Sequence, residues 1–194
     1  MRQWLGQYKY RGNERYAPLL GVMLERAYQI LIEERKPAFQ KRPRGHFPAL
    51  LFRRSISIVP WQADILVPVP VSESRLVERG FNQAERLADE LSRRRVIPVL
   101  PLLIRTHHTG KQSFKSRAER LTDMKHAFAP NTSVQESYFK WLQGSHHTRP
   151  VRVIIVDDIY TTGSTIRACA EAVRNMTEAC GYSAEIYSLT WARS

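Results

Sequence analysis

The chain has 194 residues, of which 43% are hydrophobic and 25% charged, the composition of an ordinary globular protein. Its 30 Lys and Arg residues against 18 Asp and Glu give a formal net charge of +12. That excess favours a polyanionic partner such as nucleic acid, a phosphorylated metabolite or an anionic membrane surface, with a solubilising surface charge as the alternative. Two cysteines form no disulfide framework, and no segment has the apolar length of a signal peptide or a transmembrane helix. We therefore expect a protein of the cytoplasm.

The first predicted element is an amphipathic helix over residues 14–34, where apolar side chains recur every three or four positions. The predicted apolar face consists of Leu19, Leu20, Met23, Leu24, Ala27, Ile30 and Leu31. A segment rich in Pro, Gly and basic residues follows and predicts a loop. We expect residues 1–60 to form a helical, basic, hood-like N-terminal arm and residues 61–194 to form an α/β domain.

The rest of the chain alternates strands with helices. Strands are predicted over residues 63–71, 102–105, 151–156 and 183–192, and helices over residues 82–95, with Asn82 as N-cap, and 164–176. Residues 106–123 predict a loop that runs into a short helix, and residues 130–150 an exposed insertion. This alternation predicts βαβ units and therefore an α/β fold with an open, mostly parallel sheet.

The stretch VIIVDDIYTTGST, residues 153–165, carries the candidate chemistry. Ligands of such sheets bind at the carboxyl ends of the strands, which places Asp157 and Asp158 at the mouth of a site. The next residues open a helix whose first amides favour a phosphate, and Gly163 permits the tight turn. Further donors are the hydroxyls of Thr161, Thr162, Ser164 and Thr165. A pentose phosphate satisfies both halves, since its ring hydroxyls donate to carboxylates; a capped strand and an ordinary helix start are the alternative.

This stretch resembles the phosphoribosyl-pyrophosphate (PRPP) signature of type I phosphoribosyltransferases. Four further segments, VPVP followed by RGFNQA (67–84), YKYRG (8–12), TGKQS (109–113) and the ending SLTWAR (188–193), resemble the ComF family of competence proteins, of the ComFC type. The resemblance implies a type I phosphoribosyltransferase-like sheet and a role in natural competence. It also implies contact with single-stranded DNA at the inner face of the membrane, together with a helicase partner. Family members usually carry a four-cysteine zinc ribbon before YKYRG; this chain has none, so we expect no metal site of that kind.

The resemblance assigns roles to individual residues. Asp157 and Asp158 become the catalytic candidates, and Thr161, Thr162, Gly163, Ser164 and Thr165 the 5′-phosphate loop. The loop after VPVP, residues 71–75, falls where these enzymes bind pyrophosphate and gives the candidates Ser72, Arg75 and Arg79. Segment 105–120 falls where they have a flexible lid and gives Arg105, Lys111 and Gln112. Mg²⁺ would be held largely by oxygens of PRPP. Arg79, Asn82 and Gln83 would contact the same anion or orient the loop; a local role, with Asn82 as helix cap and Arg79 as a solvated charge, is the alternative.

Two functions stay open at this point. One is a PRPP-binding protein of DNA uptake whose arm contacts single-stranded DNA through phosphate and stacking interactions. Its candidate residues are Trp4, Tyr8, Tyr10 and Tyr16, with the basic run Arg35, Lys36, Lys41, Arg42, Arg44, Arg53 and Arg54. The other is an active Mg²⁺-dependent phosphoribosyltransferase of nucleotide or amine metabolism, whose acceptor the sequence does not identify. The pairs His107–His108 and His146–His147 indicate surface residues rather than metal ligands.

Overall fold

The structure is a computed structural model that describes residues 16–35, 61–106, 127–144 and 149–193. Its helices, in chain order, are α1 (Ala17–Glu34), α2 (Glu73–Arg79), α3 (Gln83–Arg95), α4 (Thr132–Gly144) and α5 (Ser164–Glu178). Its strands are β1 (Ile65–Pro68), β2 (Leu103–Arg105), β3 (Phe128–Pro130), β4 (Val151–Tyr160) and β5 (Ala184–Arg193). The predicted helices and strands in this part of the chain are confirmed, with ends shifted by a few residues.

Three parallel strands form the main sheet in the order β1–β4–β5. On the outer edge of β1, Val99 adds a single parallel bridge to Leu66. After β1 the chain continues on one side of the sheet, through Val99, whereas after β4 it continues on the other side, through β5. Between these two strands the winding reverses, which is where open α/β sheets bind their ligands. The predicted open parallel sheet is confirmed.

Helices cover both faces of the sheet, which explains the uninterrupted apolar run of β4. Val151, Val153 and Ile155 pack on the face that carries α4, α5, β2 and β3. Ile154 and Val156 pack on the opposite face, which carries α1 and α3. A strand buried on both sides reads as a continuous hydrophobic segment rather than an alternating one.

One carboxylate fastens β1 to β4 at the amino edge of the sheet. The guanidinium of Arg149 donates two hydrogen bonds of 2.7 Å to the oxygens of Asp64, and the amide of Arg152 donates a third at 2.8 Å. Such a bidentate pair has a defined geometry, which a single-point contact of a lysine lacks. The pair fixes the first residues of the two strands against each other.

Helix α1 packs against α3 and β5 rather than standing apart from the sheet. Its buried stripe is Leu20, Leu24 and Tyr28, spaced by four residues, and the Tyr28 hydroxyl accepts a hydrogen bond from the Ala63 amide at 3.1 Å. The prediction is wrong for three members of the expected apolar face, which are 41–47% exposed: Leu19, Met23 and Ile30. Ala17 and Gly21 are buried in the same helix, and Gly21 lies close to Glu90 of α3.

The prediction of an exposed insertion over residues 130–150 is wrong. Residues Thr132–Gly144 form α4, and Tyr138 and Leu142 are fully buried in the core beside α5. The Tyr138 hydroxyl lies 2.9 Å from Thr177 Oγ1, and the Trp141 ring stacks on the Tyr138 ring at 5.9 Å. The spacing of Tyr138 and Leu142 by four residues was a helix signal, but the polar residues around it masked the signal.

Strand β2 belongs to a second, antiparallel sheet with β3 rather than to the main sheet. Arg105, its last residue, pairs with Phe128 and lies over that ring at 5.7 Å. The chain between β2 and β3 contains the predicted lid residues Lys111 and Gln112, which lie outside the described residues. Arg105 is therefore the lid candidate whose surroundings the structure defines.

Replacing Gly21 by alanine should lower the free energy of unfolding by about 1–2 kcal/mol, in spite of alanine's better helix propensity. A Cβ at this position would lie 2.6 Å from the Cβ of Glu90 on α3, and neither atom can rotate away. Urea unfolding followed by circular dichroism measures the change. Gly144→Ala is the control, because nothing lies within 4 Å of its added Cβ. Equal stability of Gly21→Ala and wild type would contradict the close packing of α1 and α3.

Stability should fall as the pH rises above about 8.5, where thiols begin to ionise in the unfolded chain, and further above about 10, where phenols do. Burial raises the pKa of the Cys169 thiol, and the negative charge of Asp157 raises it further. Burial also raises the pKa of Tyr28 and of Tyr138. The folded state thus holds these protons more tightly than the unfolded state. The urea concentration at the midpoint of unfolding, measured between pH 7.5 and 10.5, tests this prediction. In Cys169→Ala the decline in stability that begins at about pH 8.5 should be smaller. A midpoint that rises with pH would contradict the prediction.

Candidate functional site

The two adjacent acids lie within β4, which continues past them to Tyr160 instead of ending at Val156. Strand β1 ends at Pro68, opposite Val156, and the next contact is a hydrogen bond of 2.9 Å from the Val69 amide to the Val156 carbonyl. Strands β4 and β5 remain paired as far as Tyr160 and Arg193. The acids therefore stand on a two-stranded extension that protrudes beyond β1 at the carboxyl edge of the sheet.

Asp157 and Asp158 point to opposite faces of this extension, because side chains alternate along a strand. Asp157 follows Val153 and Ile155 on the α5 face, and its Oδ1 accepts a hydrogen bond of 2.8 Å from the amide of Asp158. Both residues are half-buried. The carboxylates thus flank the strand from two sides, and a ligand at the strand end meets each from a different direction.

Arg105 and the Cys169 thiol lie near Asp157, and Arg75 lies near Arg105. Burial lowers the pKa of Arg105 and the positive charge of Arg75 lowers it further, whereas Asp157 acts in the opposite direction. The charges of Asp157 and Arg105 also act on the buried Cys169. The structure therefore brings together one predicted catalytic residue, one pyrophosphate candidate and one lid candidate. The positive charges of Arg75 and Arg105 lie near each other, an arrangement that suits a polyanion.

The predicted phosphate loop turns from β4 into α5 through Gly163, which has φ 74° and serves as the N-cap of the helix. Glycine has no side chain to accept hydrogen bonds from the first amides of the helix, and phosphate oxygens are natural acceptors at such a helix start. The hydroxyl of Thr162 lies 2.9 Å from that of Ser164 and accepts a bond of 3.4 Å from the Ser164 amide. Thr161 and Thr162 are exposed. The loop thus presents hydroxyls and amides on the solvent side.

Tyr160 and Arg193 border this loop, and the sequence analysis identified neither. A Cβ on Gly163 would lie 2.5 Å from the Tyr160 hydroxyl and 2.9 Å from Cζ, so the phenol ring fills the space behind the glycine. The guanidinium of Arg193 lies over the same ring, 5.7 Å from its centroid. The signals for both residues were present, since Tyr160 lies inside the PRPP-like stretch and Arg193 ends the SLTWAR segment.

The segment after β1 differs from its prediction. Residues 71–75 were expected to form a pyrophosphate loop, but Arg75 and Arg79 lie on the short helix α2, and only Ser72, which is buried, precedes it. Arg79 donates a hydrogen bond of 3.2 Å to Oε1 of the buried Gln83. Gly80, with φ 79°, is the C-cap that ends α2 before α3 begins.

Asn82 is confirmed as the N-cap of α3. Its Oδ1 accepts a hydrogen bond of 3.1 Å from the Ala84 amide, while its Nδ2 donates one of 3.1 Å to the Val69 carbonyl. One side chain therefore caps the helix and holds the chain at the end of β1.

Within the described ranges, no three His, Cys, Asp or Glu side chains cluster closely enough to enclose a metal ion. The half-buried carboxylates of Asp157 and Asp158 still suit Mg²⁺, which takes one or two carboxylates and completes its shell with phosphate oxygens and water. The same part of the chain includes no helix with the length and hydropathy needed to cross a membrane.

An open parallel sheet, two adjacent acids and a Thr-Thr-Gly turn into a helix define the class of this protein: an α/β protein with a phosphoribosyltransferase-like fold. No protein-family model matches the chain. Curated relatives do match it. It is 33% identical over 137 residues to competence protein ComFC of Bacillus subtilis, covering 71% of this chain and 48% of the relative.

Two other relatives give the same result. The chain is 33% identical over 114 residues to competence protein F of Haemophilus influenzae, covering 58% of this chain and 45% of that protein. It is 35% identical over 109 residues to DNA utilization protein YhgH of Escherichia coli, covering 56% and 42%. The chain belongs to the ComF family. The matched part spans somewhat less than half the length of these relatives.

Proposed function

We propose that this ComF-family protein binds PRPP at the carboxyl edge of its sheet and acts in DNA uptake. The observation that carries the proposal is the arrangement around β4: acids, loop and helix start lie in sequence at the point where the winding of the sheet reverses. Carboxylates accept hydrogen bonds from ribose hydroxyls, and the first backbone amides of the helix donate hydrogen bonds to the 5′-phosphate. A single ligand with a diol and a phosphate satisfies both.

The pyrophosphate of the ligand would lie toward Arg75 and Arg105. The charge of Arg75 acts on Arg105, so a polyanion placed between them relieves the repulsion between the two guanidinium groups. One of the two carboxylates, Asp157 or Asp158, would contact Mg²⁺, whose other ligands would be oxygens of PRPP and water, and the ion would neutralise part of the charge of the bound pyrophosphate.

Isothermal titration calorimetry with PRPP tests this proposal. We expect saturable binding that weakens when Mg²⁺ is withheld, and weaker binding of ribose 5-phosphate, which lacks the pyrophosphate. ATP serves as the control, because it carries a polyphosphate but no 5′-phosphomonoester. Absence of PRPP binding at millimolar concentration in the presence of Mg²⁺, or tighter binding of ATP than of PRPP, would refute the proposal.

A transferase activity at the same site is the second candidate function. It is favoured by the neighbouring charges of Arg75 and Arg105, since positive charge placed near a departing pyrophosphate stabilises the transition state of its release. The assay is release of pyrophosphate from PRPP in the presence of a panel of nucleobases and amines. Release that depends on one acceptor would support an enzyme, and release that no member of the panel accelerates would leave a binding protein.

The proposed role in DNA uptake rests on the names of the relatives, which are competence proteins and a DNA utilization protein. It implies a cytoplasmic protein that meets single-stranded DNA, with a helicase partner, at the inner face of the membrane. Of the residues predicted to contact DNA, the structure describes Tyr16, which packs on the α1–α3 core, and Arg35, which lies over the Tyr187 ring at 4.8 Å. Fluorescence anisotropy with a labelled oligonucleotide measures the affinity for DNA. If phosphate contacts carry the binding, the affinity should fall by orders of magnitude between about 50 and 200 mM salt. An affinity independent of salt would contradict the basic arm.

A further inference from the structure

The phosphate loop contains no cation of its own. Residues 157–165 include two acids, one glycine and five residues with hydroxyl groups, with neither Lys nor Arg. A phosphate placed there gains hydrogen bonds from amides and hydroxyls but lies close to two carboxylates, whose charge repels it. A cation from another part of the fold is needed to offset that repulsion.

Strand β5 delivers one. The pairing of β4 with β5 continues through Tyr160 and Arg193, so these two residues face each other across the extension and share one side of it. Arg193 is exposed, and within the described ranges its guanidinium has no carboxylate within ion-pair distance. The guanidinium lies over the Tyr160 ring, with its Cζ 5.7 Å from the ring centroid.

The Tyr160 ring joins this cation to the loop. Its hydroxyl end lies against Gly163, so close that a methyl group on the glycine would overlap it, and its face carries the guanidinium. An arginine over an aromatic face is held by cation–π attraction while its N–H groups, in the plane of the guanidinium, stay available to an anion. Loop, ring and guanidinium thus form one contiguous unit at the end of β4 and β5.

We propose that Arg193 is the cation of the phosphate loop and contacts the 5′-phosphate of the ligand, with Tyr160 as the residue that positions it. This inference rests on the proposed function, and it adds to the site a residue from the last strand that the PRPP-like stretch does not contain. It assigns the two ends of the ligand to different cations: Arg193 serves the 5′-phosphate, whereas Arg75 and Arg105 serve the pyrophosphate.

The test compares ribose 5-phosphate, which has the 5′-phosphate, with inorganic pyrophosphate, which does not, by calorimetry at constant ionic strength. Arg193→Gln should weaken the binding of ribose 5-phosphate by about tenfold or more, which is the contribution of a hydrogen bond to a charged group. It should leave the affinity for pyrophosphate unchanged. Arg174→Gln is the matched control, because Arg174 is an exposed arginine farther along α5 and its loss changes the net charge equally. It should bind both ligands as wild type does.

The role of Tyr160 is tested by two substitutions. Tyr160→Phe keeps the ring under the guanidinium and should bind ribose 5-phosphate within about twofold of wild type, whereas Tyr160→Leu removes the aromatic face and should lose most of what Arg193→Gln loses. Thermal unfolding checks that each variant folds. Binding of ribose 5-phosphate by Arg193→Gln as tight as by Arg174→Gln, in a wild type that binds PRPP, would overturn this inference alone. A wild type that binds no PRPP would instead overturn the proposed function.

Discussion

Replacing both acids of β4, as Asp157→Asn with Asp158→Asn, should weaken PRPP binding by about a hundredfold or more. Each lost charge-assisted hydrogen bond from a ribose hydroxyl is worth roughly 1.5–3 kcal/mol, and two are removed together. An asparagine at position 157 still has a side-chain oxygen that can accept the hydrogen bond from the backbone amide of residue 158, so this local bond is retained. Calorimetry with PRPP and Mg²⁺ measures the effect.

The matched control for this pair is Glu171→Gln with Glu178→Gln, which removes the same charge from exposed positions on α5. That control separates loss of specific contacts from the general rise in positive charge, which by itself favours an anionic ligand. The single variants are informative as well, because the two carboxylates lie on opposite faces of β4 and should contribute unequally. Unchanged PRPP affinity in the double variant would remove both residues from the site.

Gly163→Ala should weaken PRPP binding by about tenfold to a hundredfold, because it acts on the loop in two ways. The left-handed backbone at φ 74° costs a residue with a Cβ roughly 1–2 kcal/mol. The added methyl group would also overlap the Tyr160 hydroxyl and ring edge, which displaces the ring or the loop. Relief of either strain moves the amides of the helix start away from the phosphate. Calorimetry with PRPP and Mg²⁺ measures the loss.

Two other glycines separate these contributions. Gly80 and Gly181 have φ of 79° and 81°, and a Cβ on either meets nothing within 4 Å. Gly80→Ala and Gly181→Ala should therefore show the backbone cost alone, as a lower free energy of unfolding. Gly181→Ala, far from the acids along the chain, should keep the affinity of wild type. A Gly163→Ala protein that binds as Gly181→Ala does would show that the loop tolerates a side chain and that Tyr160 does not shape it.

Much of the fold could be predicted from the sequence, because its determinants are local. The apolar run of β4, the cap at Asn82 and the helical spacing of α5 each act within a few residues, and the structure confirms them. The failures have longer-range causes. Helix α4 is stabilised by Tyr138 against Thr177, a contact between residues 39 positions apart that no local pattern reveals.

The candidate site divides in the same way. The acids and the loop lie in one continuous stretch, so a reader of the sequence finds them together. Arg193 comes to the loop through the pairing of β5 with β4, and Arg105 comes to Asp157 through packing of β2 against α5. The sequence indicated Arg105 as a lid candidate only through the family resemblance, and it indicated no role for Arg193. The assigned roles of these residues stay predictions until the variants are measured.

The ion pair between Asp64 and Arg149 has a consequence at the other end of the sheet. It resists shear between β1 and β4 at their amino ends, whereas at the carboxyl ends the two strands diverge, one into α2 and the other into the loop. A ligand that spans the loop after β1 and the acids of β4 would supply a second cross-link between the strands. Its binding would then stiffen the whole sheet and add its own free energy to that of unfolding, in proportion to the logarithm of its concentration.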